Sequence, residues 1–128
     1  MIQISNQLIF INEFHHQNTN MNSLDTNEFV EIALPSTLDI NDFRILRYTA
    51  AGNEYTGRLD GGITQGATVN GTTFYTQQYT SGGLRNTGGS SIALVHMNGT
   101  VYDHLAYGVA SGIGTGPLAL DGLAAGNT

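Results

Sequence analysis

The chain has no cysteine, no lysine and no tryptophan, and charged residues make up only 11% of it. Each absence removes a class of protein. Without cysteine there is no disulfide framework and no thiolate metal centre. Without lysine the basic set is Arg44, Arg47, Arg58 and Arg85, against ten acidic residues, for a net charge of −6 at pH 7. Binding nucleic acid requires clustered cations that neutralise phosphates, so no nucleic-acid partner is expected. The same deficit argues against docking on an anionic membrane surface. No apolar run reaches the length of a membrane-spanning helix, so no membrane insertion is expected. The opening residues, MIQISNQLIF, lack the basic start and long apolar centre of a signal peptide. If the protein is exported, they belong to the mature chain.

Hydrophobic residues make up 40% of the 128, and there are 17 glycines. That suits one globular domain with a single filled core. Thr, Asn, Ser and Gln supply the polarity that charge supplies in most proteins, where about a quarter of residues are charged. This balance fits an all-β chain with many turns, and it is common in exported bacterial proteins.

The stretch 8–35, LIFINEFHHQNTNMNSLDTNEFVEIALP, organises the chain. It predicts two strands, Ile9–His16 and Glu28–Leu34, around a polar link. In the first, Ile9, Ile11, Glu13 and His15 alternate with Phe10, Asn12, Phe14 and His16. In the second, Glu28, Val30, Ile32 and Leu34 share a face. Further on, FRILRYT predicts a strand over 43–49. Glu54–Leu59 is expected to return beside it as a hairpin, broken at Asp60-Gly61-Gly62. Thr72–Tyr79 is rich in residues that favour a pleated surface.

The strongest local signal is SIALVHM-NG-TVYDHLAY, where Asn98-Gly99 between alternating runs predicts a two-residue type I′ hairpin. Its register would set Val95 against Tyr102, Leu94 against Asp103 and Ile92 against Leu105. Ile92, Leu94, Val101 and Leu105 would then face the core, sharing that side with His96 and Asp103. Residues 1–7 are an extra edge strand or tail, and 108–128 form a long Gly-rich C-terminal segment. Short strands, frequent turn signals and no helical period predict an immunoglobulin-like antiparallel β-sandwich of about seven to nine strands.

LIFINEFHH (8–16), DTNEFVEI (25–32), GLRNTGGSSIALVHMNGTVYDHLAYG (83–108) and DGLAAGNT (121–128) together resemble the bacterial branch of the lamin-tail domain family. The resemblance covers nearly all of the chain from Leu8 on, the middle only in strand pattern. It implies an immunoglobulin-like sandwich found in exported, often multidomain proteins, acting as a binding or anchoring module. It brings no catalytic residues. His104 departs from the apolar or aromatic residue that relatives carry there. Relatives also continue past the Ala-Ala-Gly-x-Thr motif. This leads to the expectation of an open sheet edge, filled by Met1–Ser5 or by a neighbouring molecule.

Several residues are candidates for chemistry. Glu13, Asp25 and Glu28 could converge at one rim and hold Ca²⁺, which takes several oxygen ligands. The competing reading is that these carboxylates accept backbone N–H groups of the adjoining loop. His15 and His16 point to opposite faces of a strand, so without a bulge they cannot share one metal. A zinc site would need His96 or His104 as well. No Gly-x-Ser-x-Gly elbow is present, and the glycines of 112–116 lack the lysine of a phosphate loop. Tyr75 and Tyr79 share a strand face that could meet a sugar or a partner protein, or pack within the sheet. Asn70-Gly71-Thr72 and Asn98-Gly99-Thr100 match the glycosylation sequon, as chance allows in a Thr-rich chain.

The expected function is therefore a non-enzymatic, extracellular or cell-surface binding or anchoring module with a protein or glycan partner. The alternatives are a subunit that self-assembles by strand addition, making it a homo-oligomer, and an accessory domain of a secreted hydrolase or nuclease.

Overall fold

The computed structural model describes residues 8–15, 28–55, 60–79, 84 and 90–107, with only the backbone of Asp60 and Gly61. Among them are seven strands: β1 Phe10–His15, β2 Glu28–Pro35, β3 Phe43–Tyr48, β4 Asp60–Val69, β5 Thr72–Tyr79, β6 Ser90–His96 and β7 Val101–Tyr107. A short 3₁₀ turn, Ile40–Asp42, leads into β3. All pairings are antiparallel, in two sheets ordered β1-β2-β5-β4 and β3-β6-β7. This is the strand order of the seven-stranded immunoglobulin sandwich.

Alternation decides what each strand buries. In β2, Val30, Ile32 and Leu34 enter the core between the sheets together with Glu28, all essentially inaccessible. Tyr75 and Tyr79 of β5, Phe43 of β3, Ile92 and Leu94 of β6 and Tyr107 of β7 complete that core. Thus β2 and β6, which carry the inter-sheet disulfide of antibody domains, meet here through aliphatic side chains. A fully buried Leu, Ile or Val contributes about 1.5–3 kcal/mol.

The central strand β6 is buried on both faces. On its other side Ala93 and Val95 pack with Leu46 and Tyr48 of β3 and with Val101 of β7. Val101 therefore belongs to that second cluster and not to the inter-sheet core that alternation alone predicts.

The reason lies in the β6–β7 turn. It is not a two-residue type I′ turn: Gly99 N–H donates to His96 O and His96 N–H to Thr100 O, both at 2.9 Å, so three residues form the loop. Gly99 has φ +96, and Asn98 is not among the residues with positive φ. Asn98 Oδ1 instead accepts Thr100 N–H at 2.9 Å, an Asx-type bond. Val95 consequently faces Val101, and a one-residue irregularity returns the register to Leu94 opposite Asp103 and Ile92 opposite Leu105.

The type I′ turn lies elsewhere. Asn70 (φ 51) and Gly71 (φ 83) join β4 to β5, with Val69 opposite Thr72. Where the sequence predicts a break at Asp60-Gly61-Gly62 after a returning strand Glu54–Leu59, the structure has the start of β4. In the structure Glu54 makes a single bridge to Tyr48, and Tyr55 N–H donates to Arg47 O. Residues 56–59 lie outside the described set, and the chain then runs as β4 in the other sheet. Glycine, glutamine and threonine in DGGITQGATV mask the strand from a propensity reading.

Candidate binding groove

The two long sides of the sandwich differ. On one side β1 and β7 are fastened together: Asp103 Oδ2 accepts the backbone N–H of Ile11 at 2.9 Å. On the other side the edges are β3 and β4. There, a groove of about 360 Å³ runs between the sheets. Ile32, Ile40, Phe43, Ile45 and Ile63 give it an apolar floor, and Asn41, Arg44, Gln77 and Tyr79 a polar rim. Ile63 of β4 is 43% exposed there.

Arg44 is held at the rim by the backbone. Its Nη1 donates to Asn41 O at 3.0 Å and to Phe43 O at 2.7 Å. These two bonds fix the plane of the guanidinium. Its remaining N–H groups, on Nε and Nη2, make no bond to the described residues. Such a planar fork matches a carboxylate in two-bond geometry. Phe43 O and Arg47 O both lie on the β3 edge turned away from β6, the second taken by Tyr55 N–H. Ile45, midway between them, presents its N–H and C=O to the same edge by the period of the strand.

The other arginine on β3 has a different role. Arg47 is buried, its guanidinium 5.1 Å from the Tyr55 ring centre and 5.0 Å from that of Tyr79. Tyr107 lies in the same end of the core, 5.4 Å from the Phe14 ring. Burial, reinforced by Tyr55 and by the Glu28 charge, pushes the Tyr107 hydroxyl far above the ordinary tyrosine range.

The candidates from sequence fall as follows. Glu13 faces Glu31 across β1 and β2 and is exposed on the outer face of its sheet. Glu28 is fully buried, and its Oε1 accepts Leu84 N–H at 2.9 Å. Glu31 and Glu28 are three residues apart on one strand, hence on opposite faces, and Glu13 shares the face of Glu31. Glu13 and Glu28 are therefore not brought together. Asp25 lies outside the described residues. Glu28 does accept a backbone N–H, but that of Leu84, 56 positions on, and not one of the adjoining loop, which lies outside the described residues. Among the described residues no three acidic or histidine side chains are grouped as metal ligands.

The histidines are also dispersed. His15 packs against Phe29, His96 sits edge-on to Phe43, and His104 Nε2 lies 2.9 Å from Ser91 Oγ. His16 is outside the described residues. Tyr75 and Tyr79 do share a face, but it is the inner one, where they are 8% and 6% exposed. Both belong to the core cluster between the sheets, so this face packs inside the domain. Only Tyr79 reaches the groove. Arg44 and the groove were missed from sequence. The only trace of them is an arginine between two apolar residues in Phe43-Arg44-Ile45.

Comparison with protein-family models, with curated proteins and with solved structures returns no match.

Proposed function

We propose that the domain is a non-enzymatic binding module that takes a protein partner on its open side, between β3 and β4. The observation that carries this reading is the groove: an apolar floor of isoleucine and phenylalanine, rimmed by two amides and a backbone-held guanidinium. Ligand sites have this make-up, a mainly apolar lining with a few placed polar groups. The isoleucine-rich floor suits aliphatic side chains better than sugar rings, which stack on exposed aromatic faces. This favours protein over glycan. The stretches that resemble lamin-tail domains support an exported, tethering role.

A library of short random peptides displayed on phage and panned against the domain tests this. Selected peptides are expected to lose binding to Ile63→Arg, which puts a charge on the groove floor from an exposed edge position. Selection of nothing, or of peptides indifferent to Ile63→Arg, sinks the reading.

A second reading, self-assembly by strand addition, has one specific support. Positions 61–69 of β4 carry no charged residue, and 62–69 are exposed along an edge that, among the described strands, pairs with β5 alone. Edge strands that avoid association usually carry charge or irregularities. Here β4 has the irregularities, near Gly62 and Gln65. The expected edge at Met1–Ser5 lies outside the described residues. Light scattering at high concentration, with and without Thr64→Lys, decides this. Monomers in both samples end it.

A further inference from the structure

We infer that the groove selects an extended peptide in which an apolar side chain is followed by a side-chain carboxylate, and that Arg44 is the residue that reads the carboxylate. The inference deepens the binding-module reading and rests on it.

Three features of one edge converge on this ligand. Ile40, Phe43, Ile45 and Ile63 line a cavity of about 360 Å³, within the ordinary size range of ligand pockets and wide enough for a leucine-sized side chain. Ile45, on the same edge, offers an N–H and a C=O to an added strand, and β3 pairs along Phe43–Leu46 with β6 alone among the described strands. Such main-chain pairing gives affinity without sequence, while side-chain pockets give specificity.

The third feature is Arg44. Asn41 O and Phe43 O hold its Nη1, so the guanidinium is ordered before any ligand arrives and loses little freedom on binding. The Nε–Nη2 side of the fork remains for an acceptor. In a chain of net charge −6, an acidic ligand gains nothing from the long-range field. Its attraction must be local, and Arg44 is the exposed arginine among the described residues, since Arg47 is buried. The same bonds make Arg44 a gate on strand addition, because Phe43 O is already satisfied by the guanidinium. A strand without an acceptor for Arg44 gains less at this edge.

The test uses the full chain and the fluorescein-labelled peptide Thr-Leu-Glu-Val-Thr-Ser, blocked at both ends, read by anisotropy. Replacing its glutamate by glutamine is expected to weaken binding about tenfold or more, as loss of a two-bond charged contact does. Replacing its leucine by serine weakens it likewise. The Arg44→Gln protein is expected to bind the glutamate and glutamine peptides equally, both as weakly as the wild type binds the glutamine form. Arg44→Lys, which keeps the charge and loses the fork, falls between. A glutamine peptide with a free C-terminus, if it binds as tightly as the glutamate peptide, replaces the side-chain carboxylate by the terminal one and overturns the proposal as stated. Equal affinity of the wild type for both blocked peptides overturns it, as does binding by none of them. Panned peptides that depend on Ile63 but not on Arg44 leave the groove a docking site and remove the carboxylate. Peptides that depend on neither remove both.

Discussion

Asp103 on β7 accepts the backbone N–H of Ile11 on β1, 92 positions away in sequence, at 2.9 Å. This single carboxylate joins the two edge strands on one side of the sandwich. No comparable bond spans β3 and β4 among the described residues. The polarity of the domain, one side fastened and one side grooved, follows from that difference. Asp103→Ala leaves the part-buried Ile11 N–H without its acceptor, which costs about 1–3 kcal/mol. Asp103→Asn keeps a neutral acceptor and is expected to lose roughly half as much. Urea unfolding of the two variants measures this, and equal stability of all three proteins would remove the fastening role.

The two Asn-Gly turns have identical sequence through Thr and differ in geometry at the asparagine. Asn70 has φ 51, whereas Asn98 lies outside the left-handed region and uses its side chain to hold Thr100 N–H. Glycine reaches positive φ without steric cost but loses more entropy on folding. Asn70→Gly is therefore expected to be neutral or slightly stabilising. Asn98→Gly should cost about 1 kcal/mol, from backbone freedom and the lost side-chain bond. Thermal midpoints of the pair provide the check. The reverse ranking would contradict the turn assignment.

What could be seen in the sequence was local periodicity. Strands β2, β5, β6 and β7 are alternating runs rich in β-branched and aromatic residues, and they lie within a residue or two of where alternation puts them. The pairings Ile92–Leu105 and Leu94–Asp103 also follow from the hairpin, because the one-residue irregularity beyond them cancels the extra turn residue. Strand β4 was hidden, since its glycines and threonines hold no alternation and its pairing with β5 is what makes it a strand. The face shared by Tyr75 and Tyr79 stayed open between a partner and internal packing, and the structure puts both side chains inside. Two tyrosines on one face say nothing about which face the second sheet will cover. In β1 an irregularity between Ile11 and Glu13 puts Ile11 and Phe14 into the core together, which strict alternation forbids. The groove depends on which two edges remain apart, a property of the whole sandwich, so Arg44 carried almost no signal by itself.

Tyr107 gives the domain an alkaline limit. Its hydroxyl is held protonated in the fold, chiefly by burial, while in the unfolded chain it titrates near 10. Above that pH the folded state binds more protons than the unfolded state, so stability falls as pH rises. Its stabilising effect is fully present below about pH 10, and the loss approaches about 1.4 kcal/mol per pH unit beyond it. Tyr107→Phe should flatten this slope while changing stability little at pH 8. Urea midpoints at pH 8, 10 and 11 test it. Parallel declines in the two proteins would assign the alkaline loss to other groups.

The two glutamates proposed from sequence as partners in a calcium site should behave as unrelated residues. Glu28 is sealed in the core with Leu84 N–H bonded to it, and Glu13 is exposed opposite Glu31 on the outer face. Glu28→Ala is expected to cost about 1–3 kcal/mol, because a buried N–H loses its acceptor. Glu13→Lys replaces a like-charged cross-strand pair by an opposite one, and should stabilise by a few tenths of a kcal/mol at low salt, fading as salt screens the pair. Thermal unfolding with and without millimolar CaCl₂ separates this from an ion site. A shared site would make calcium raise the midpoint of the wild type and would abolish that rise in both Glu13→Lys and Glu28→Gln. Separate faces predict that neither substitution changes the response to calcium.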